Sequence, residues 1–161
     1  KELLSRSGTI KDFYDKRHTT FFLFDYGKGY PNIKLEFNKR VWKNNIYRQA
    51  LFLGVSILIG DEATILTNKL VALTDRKVAV ARDLFDSWYF LQAGFPINEA
   101  LVRERTDLSL KEYLKMAASF IQKSYTGRNI LHGLGNALDE KQKAWVKSSL
   151  VKATLDEMKK R

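Results

Sequence analysis

The stretch that most constrains the fold is residues 60–94, GDEATILTNKLVALTDRKVAVARDLFDSWYFLQAG. Its apolar residues recur at the helical period, so it reads as two helices joined by a short bend. The first opens at Gly60-Asp61-Glu62, with acids where the helix dipole favours them. Ile65, Leu66, Leu70 and Leu73 form one apolar stripe. Lys69 falls inside that stripe and Arg76 lies near its edge. A lysine there must snorkel outward or meet a buried anion, because an unpaired buried ammonium is costly. The second helix, residues 82–92, turns Leu84, Phe85, Trp88 and Leu91 to one side. Arg82, Asp83 and Asp86 lie on the other, at spacings that allow i,i+3 and i,i+4 contacts. Adjacent helices thus present one lysine and two carboxylates, which makes a candidate site. The plainer reading makes Lys69 a boundary residue, Arg82–Asp86 a surface pair and Asp83 a first-turn acid. Structural ion pairs outnumber functional ones.

Upstream, residues 1–18 read as a short amphipathic helix broken near Ser7-Gly8. HTTFFLFDY and NIKLEFNKR then read as a strand hairpin around Gly27, Gly29, Pro31 and Asn32. In the second strand Ile33, Leu35 and Phe37 alternate with Lys34, Glu36 and Asn38. Residues 41–50 read as a loop or a short helix. LFLGVSILI, residues 51–59, is almost wholly apolar and reads as a further strand buried on both faces. Beyond Gly94-Phe95-Pro96, helices are expected over 97–105, 109–124 and 139–160. Ser109 and Glu112 form a possible capping box, and Trp145, Leu150 and Leu155 are the expected buried face of the last helix. The Gly133/Gly135 pair follows no strand and is not a nucleotide loop. His18 and His132 stand alone and take no role. The expected fold is α+β, with a strand-rich region over 1–60 and a helical region over 61–161.

The chain has no cysteine, so disulfides, thiol nucleophiles and Cys-based zinc sites are excluded, and a cytoplasmic protein is expected. No apolar run approaches a membrane span. The net charge of +10 is uneven: residues 1–48 carry eleven basic against five acidic side chains, and residues 99–161 thirteen against eight. Basic ends around a neutral centre suit a phosphate-rich partner such as RNA or a nucleotide, and they suit an acidic protein equally.

KLVALTDRK followed by ARDLFDSWYFLQAG resembles the closing motifs of the AbiEii/AbiGii toxin family, nucleotidyltransferase-fold toxins of toxin–antitoxin and abortive-infection (phage-defence) systems. The resemblance rests on Glu62, Lys69, Leu70, Ala72, Leu73 and Arg76 in the first helix. In the second it rests on Arg82, Asp83, Asp86 and Leu91, with Ser87 where the family usually has leucine. It implies a partial nucleotidyltransferase-like sheet, a hairpin plus a further strand, with a helical C-terminal region. It also implies transfer of a nucleoside monophosphate from an NTP, with Mg²⁺, to an RNA (transfer RNA first) or protein acceptor, and a cognate antitoxin as partner.

Under that resemblance Leu35-Glu36-Phe37 fits the family's later strand pattern, making Glu36 the third metal-assisting carboxylate. Lys69 would contact NTP phosphates, with Lys34, Arg76 and Arg82 as further phosphate-binding cations. Asp83 and Asp86 would orient Lys69 and Arg82 or help at the metal. The family's early glycine-rich loop and paired-acid strand do not occur in this sequence, so they are expected upstream of Lys1. The chain alone is then expected to be inactive. The rival reading is a non-catalytic basic module that docks RNA or an acidic protein.

Overall fold

A computed structural model of the chain describes residues 7–76, 78–134 and 137–161. Two compact units divide it, residues 1–41 and residues 42–161. The fold is α+β, with five strands in two small antiparallel sheets and five helices among the described residues.

The first unit is a three-stranded antiparallel meander of β1 (Thr9–Asp15), β2 (Thr19–Asp25) and β3 (Ile33–Asn38), in that order across the sheet. The hairpin expected from the two Phe-rich runs is β2–β3, with Phe22 opposite Leu35 and Phe24 opposite Ile33. Phe22 and Phe24 are its buried aromatics, and Phe22 meets Phe13 at 4.9 Å and Phe37 at 6.3 Å between ring centroids. The helix expected over 1–18 is corrected: 9–15 is a strand, and residues 1–6 lie outside the described residues. The register shift between Ile10 and Asp12 explains the misreading. A bulge lets Ile10 and Phe13, three residues apart, share one face with Phe24 and Phe22, and a three-residue apolar spacing mimics a helix.

The second unit opens with a loop over 42–46 and a two-stranded hairpin, β4 (Tyr47–Phe52) and β5 (Val55–Gly60). This corrects the single strand expected over 51–59. The chain reverses at Leu53-Gly54, whose φ values of 48° and 80° are both left-handed, the geometry a two-residue hairpin turn requires. The strands are also largely exposed rather than buried on both faces. The strand-rich region expected over 1–60 therefore falls into two separate sheets, and the second hairpin belongs with the helices.

Five helices follow: α1 (Glu62–Asp75), α2 (Ala81–Gln92), α3 (Glu99–Thr106), α4 (Leu110–Ser124) and α5 (Glu140–Met158). Asp61 caps α1 through the Thr64 amide, and Asn98 caps α3 through that of Leu101. Ser109–Glu112 and Asp139–Gln142 form complete capping boxes, which satisfy orphan donors at both helix starts. Leu66, Leu70 and Leu73 of α1 pack with Leu84 and Leu91 of α2, Val102 of α3, Tyr113 and Ile121 of α4, and Leu150 of α5 in one core. In α5 the fully buried positions are Val146, Leu150, Thr154 and Met158, while Trp145 and Leu155 are only partly covered. No described helix is long and apolar enough to cross a membrane.

Candidate functional site

The α1 stripe that buries Leu66, Leu70 and Leu73 carries Lys69 along its border, where a third of the side chain stays exposed. Its ammonium does not merely snorkel. Lys69 Nζ donates to Asp86 Oδ2 at 2.7 Å and stands 3.8 Å from Asp83 Oδ1. Arg76, just past the end of α1, brings its Nε to 2.6 Å from Asp83 Oδ2. That pair is close but not aligned as a hydrogen bond, so this buried oxygen has no aligned donor among the described residues. The Asp83 side chain is 4% exposed, against 29% for Asp86. The two carboxylates thus do different work: Asp83 is sunk between the helices, and Asp86 sits at the rim.

Two expectations need correcting here. Asp83 does not lie on the wet side of α2 but is buried with Leu84, Ser87 and Leu91. Ser87, one turn on, is fully covered as well, and its hydroxyl donates to the Asp83 carbonyl at 2.7 Å. The anticipated Arg82–Asp86 pair is not formed. Arg82 is exposed, and Asp86 is taken by Lys69. Arg76 therefore holds the place against Asp83, and Lys69 that against Asp86, for which Arg82 was the expected cation.

Tyr125, at the end of α4, adds a polar edge. Its hydroxyl donates to the Val80 carbonyl at 3.3 Å, at the entry to α2. Burial first, and the nearby Asp83 charge second, push its phenol up to about 12. No sequence signal links Tyr125 to Asp83, because the two are brought near only where the residue after α4 reaches the Val80 carbonyl at the entry to α2.

Glu36 and Lys34 belong to the other unit, on β3, where both are exposed and paired at 2.7 Å. That contact raises the Lys34 ammonium above the ordinary lysine value. Mg²⁺ prefers several oxygens in near-octahedral geometry. Glu36 offers one carboxylate already bound to an ammonium, and no group of three or more metal-binding side chains occurs among the described residues. These residues do not by themselves fit a Mg²⁺ site, and no chemical step is derived through one.

No family model, curated protein or solved structure matches this chain.

A second polar cluster, unforeseen in the sequence, fixes the loop over 42–46. Glu104 accepts from the Lys43 and Asn44 amides at 2.7 and 2.9 Å and from Asn44 Nδ2 at 3.0 Å. Arg105 reaches Asn68 and Asp75, each at 2.6 Å, and its guanidinium lies 5.3 Å from the Trp42 ring centroid. Glu104 holds backbone, and Arg105 is engaged by side chains and the Trp42 ring, its buried Nε having no hydrogen-bond partner among the described residues. Lys69 differs. One of its three N–H donors is committed to Asp86, and with a third of the side chain exposed a further donor can meet an anionic oxygen.

Proposed function

We propose that this chain carries the helical part of an AbiEii-type nucleotidyltransferase toxin, with Lys69 as the residue that contacts the phosphates of a nucleoside triphosphate. One observation carries the reading. The two segments that resemble the family's motifs converge through their polar residues, Lys69 and Arg76 from one meeting Asp83 and Asp86 from the other. An ammonium held by a rim carboxylate keeps its direction while leaving donors open, which favours binding of a phosphate oxygen without fresh ordering cost. In the reaction an acceptor hydroxyl bonds to the α-phosphorus as the bond to pyrophosphate breaks. The Mg²⁺ that the resemblance implies would neutralise charge on the triphosphate. Transfer RNA is the acceptor named first, since the basic ends suit RNA, and the neutralising partner is a cognate antitoxin in the cytoplasm.

The test is transfer of label from each α-labelled NTP to transfer RNA, in Mg²⁺, by the protein expressed from its complete coding region. The expected result is incorporation that Lys69→Met abolishes while the circular dichroism spectrum is unchanged. Equal incorporation by Lys69→Met overturns the assignment of Lys69. No incorporation from any NTP into transfer RNA or into protein overturns the enzyme reading.

A second reading has its own support: Lys141, Lys147 and Lys152 are exposed along α5 without ion-pair partners among the described residues. A basic binding module would lose RNA or acidic-protein binding on Lys147→Glu and Lys152→Glu while Lys69→Met binds normally. Unchanged binding after both reversals refutes that module.

A further inference from the structure

The β4–β5 hairpin carries a bare apolar surface in the helical unit. Leu51, Phe52, Leu53, Val55 and Leu58 are between 61% and 88% exposed. The register sets Phe52 opposite Val55 and Ala50 opposite Ile57, which share one face. Gln49 opposite Leu58 and Leu51 opposite Ser56 share the other, so both faces are partly apolar. Each strand has only its hairpin mate as a hydrogen-bonded neighbour among the described residues, which leaves both outer edges open. The base, by contrast, is pinned. The Ile46 amide donates to Thr64 Oγ1 and the Asp61 amide to the Ile46 carbonyl, each at 2.9 Å. An isolated two-stranded hairpin is marginal in water, and a contiguous exposed apolar patch marks a contact surface.

Charge and edge chemistry select the occupant. No aspartate or glutamate occurs between Glu36 and Asp61, and Lys43 and Arg48 flank or lie on the hairpin, both exposed. A second copy would bring the same cations and a net charge of +10 against itself. A lipid interior would strand the unpaired N–H and C=O groups of two open edges away from any partner. An added protein strand pairs those groups and covers the apolar side chains. We propose that the β4–β5 hairpin is a docking edge for an acidic protein partner that adds an extended strand to it. This inference is independent of nucleotidyl transfer and holds or fails separately.

The probe is a short fluorescein-labelled peptide of alternating glutamate and valine, titrated by anisotropy into the whole protein. Saturable binding is expected. It should weaken at least about tenfold when alternate peptide amides are N-methylated, when lysine replaces glutamate, or when the protein carries Leu51→Lys with Leu58→Lys. Both leucines are mostly exposed, so the double variant should keep its circular dichroism and unfolding midpoint. The N-methylated peptide tests the strand contact on the unmodified protein should that variant misfold. No binding by the unmodified protein, or equal binding of the N-methylated peptide, overturns the proposal. So does an association that the double variant abolishes with phosphatidylserine vesicles (a lipid occupant) or between copies of the protein in light scattering (a second copy).

Discussion

Asp83→Asn isolates what the buried carboxylate contributes to the helix pair. The change keeps side-chain shape and removes a charge that lies 2.6 Å from Arg76 Nε and 3.8 Å from Lys69 Nζ. Stranding a fully buried partner costs about 3–5 kcal/mol, whereas an exposed pair is worth about 0–1 kcal/mol. The geometry puts Asp83 between those limits. Arg76 is half exposed and can return to water, and Lys69 keeps Asp86 at 2.7 Å. The expected loss is about 2 kcal/mol, between those two limits. At a urea slope of about 2 kcal/mol/M the midpoint of helical ellipticity falls by roughly 1 M. Asp86→Asn, at the rim, should cost under about 1 kcal/mol. Salt separates the two further. At about 1 M the Debye length shrinks to roughly 3 Å, so the Asp86 effect should fade and the Asp83 effect persist. Equal losses for the two variants, or an Asp83→Asn loss that vanishes in salt, would refute the claim that Asp83 acts from inside.

Three further outcomes follow from the same geometry. Backbone donation from Asn44, with that from Lys43, holds the Glu104 carboxyl below the ordinary glutamate value. Its stabilising effect is therefore full above the unfolded value of about 4.3 and is lost as pH falls through the lower folded value. The stability gap between the unmodified protein and Glu104→Gln should close in that window, and a gap that instead widens on acidification contradicts the clamp. Tyr125 should titrate near 12 by ultraviolet difference absorbance, and at lower pH in Asp83→Asn; an unmoved titration would mean that the carboxylate does not act on it. Leu70→Ala, at a position with no exposure, should destabilise the helical unit by about 2–5 kcal/mol, measured by urea unfolding, and a loss below that range would mean the core closes around the cavity.

Much of the helical unit is legible in the sequence because its determinants are local. Stripe spacing gives α1 and α2, and Ser109–Glu112 announces α4. Lys69 stands out because an ammonium inside an apolar stripe demands an explanation that adjacent residues can supply. The edges of that legibility are physical. A bulge at β1 breaks the period of two, so a strand presents the spacing of a helix. At 51–59 hydrophobicity alone suggests burial, but the left-handed turn at Leu53-Gly54 folds the run back on itself and leaves it exposed.

The sequence by itself therefore determined the helices, the capping box at Ser109 and the presence of a lysine and two carboxylates on neighbouring elements. Only the tertiary structure decided which cation meets which anion. Arg82 and Asp86 are four residues apart on one helix, yet Asp86 pairs with Lys69 and the buried Asp83 with Arg76. Helix periodicity fixes which residues share a face. The packing of one helix against another fixes how deep each carboxylate lies, and depth sets the strength of the interaction by excluding water.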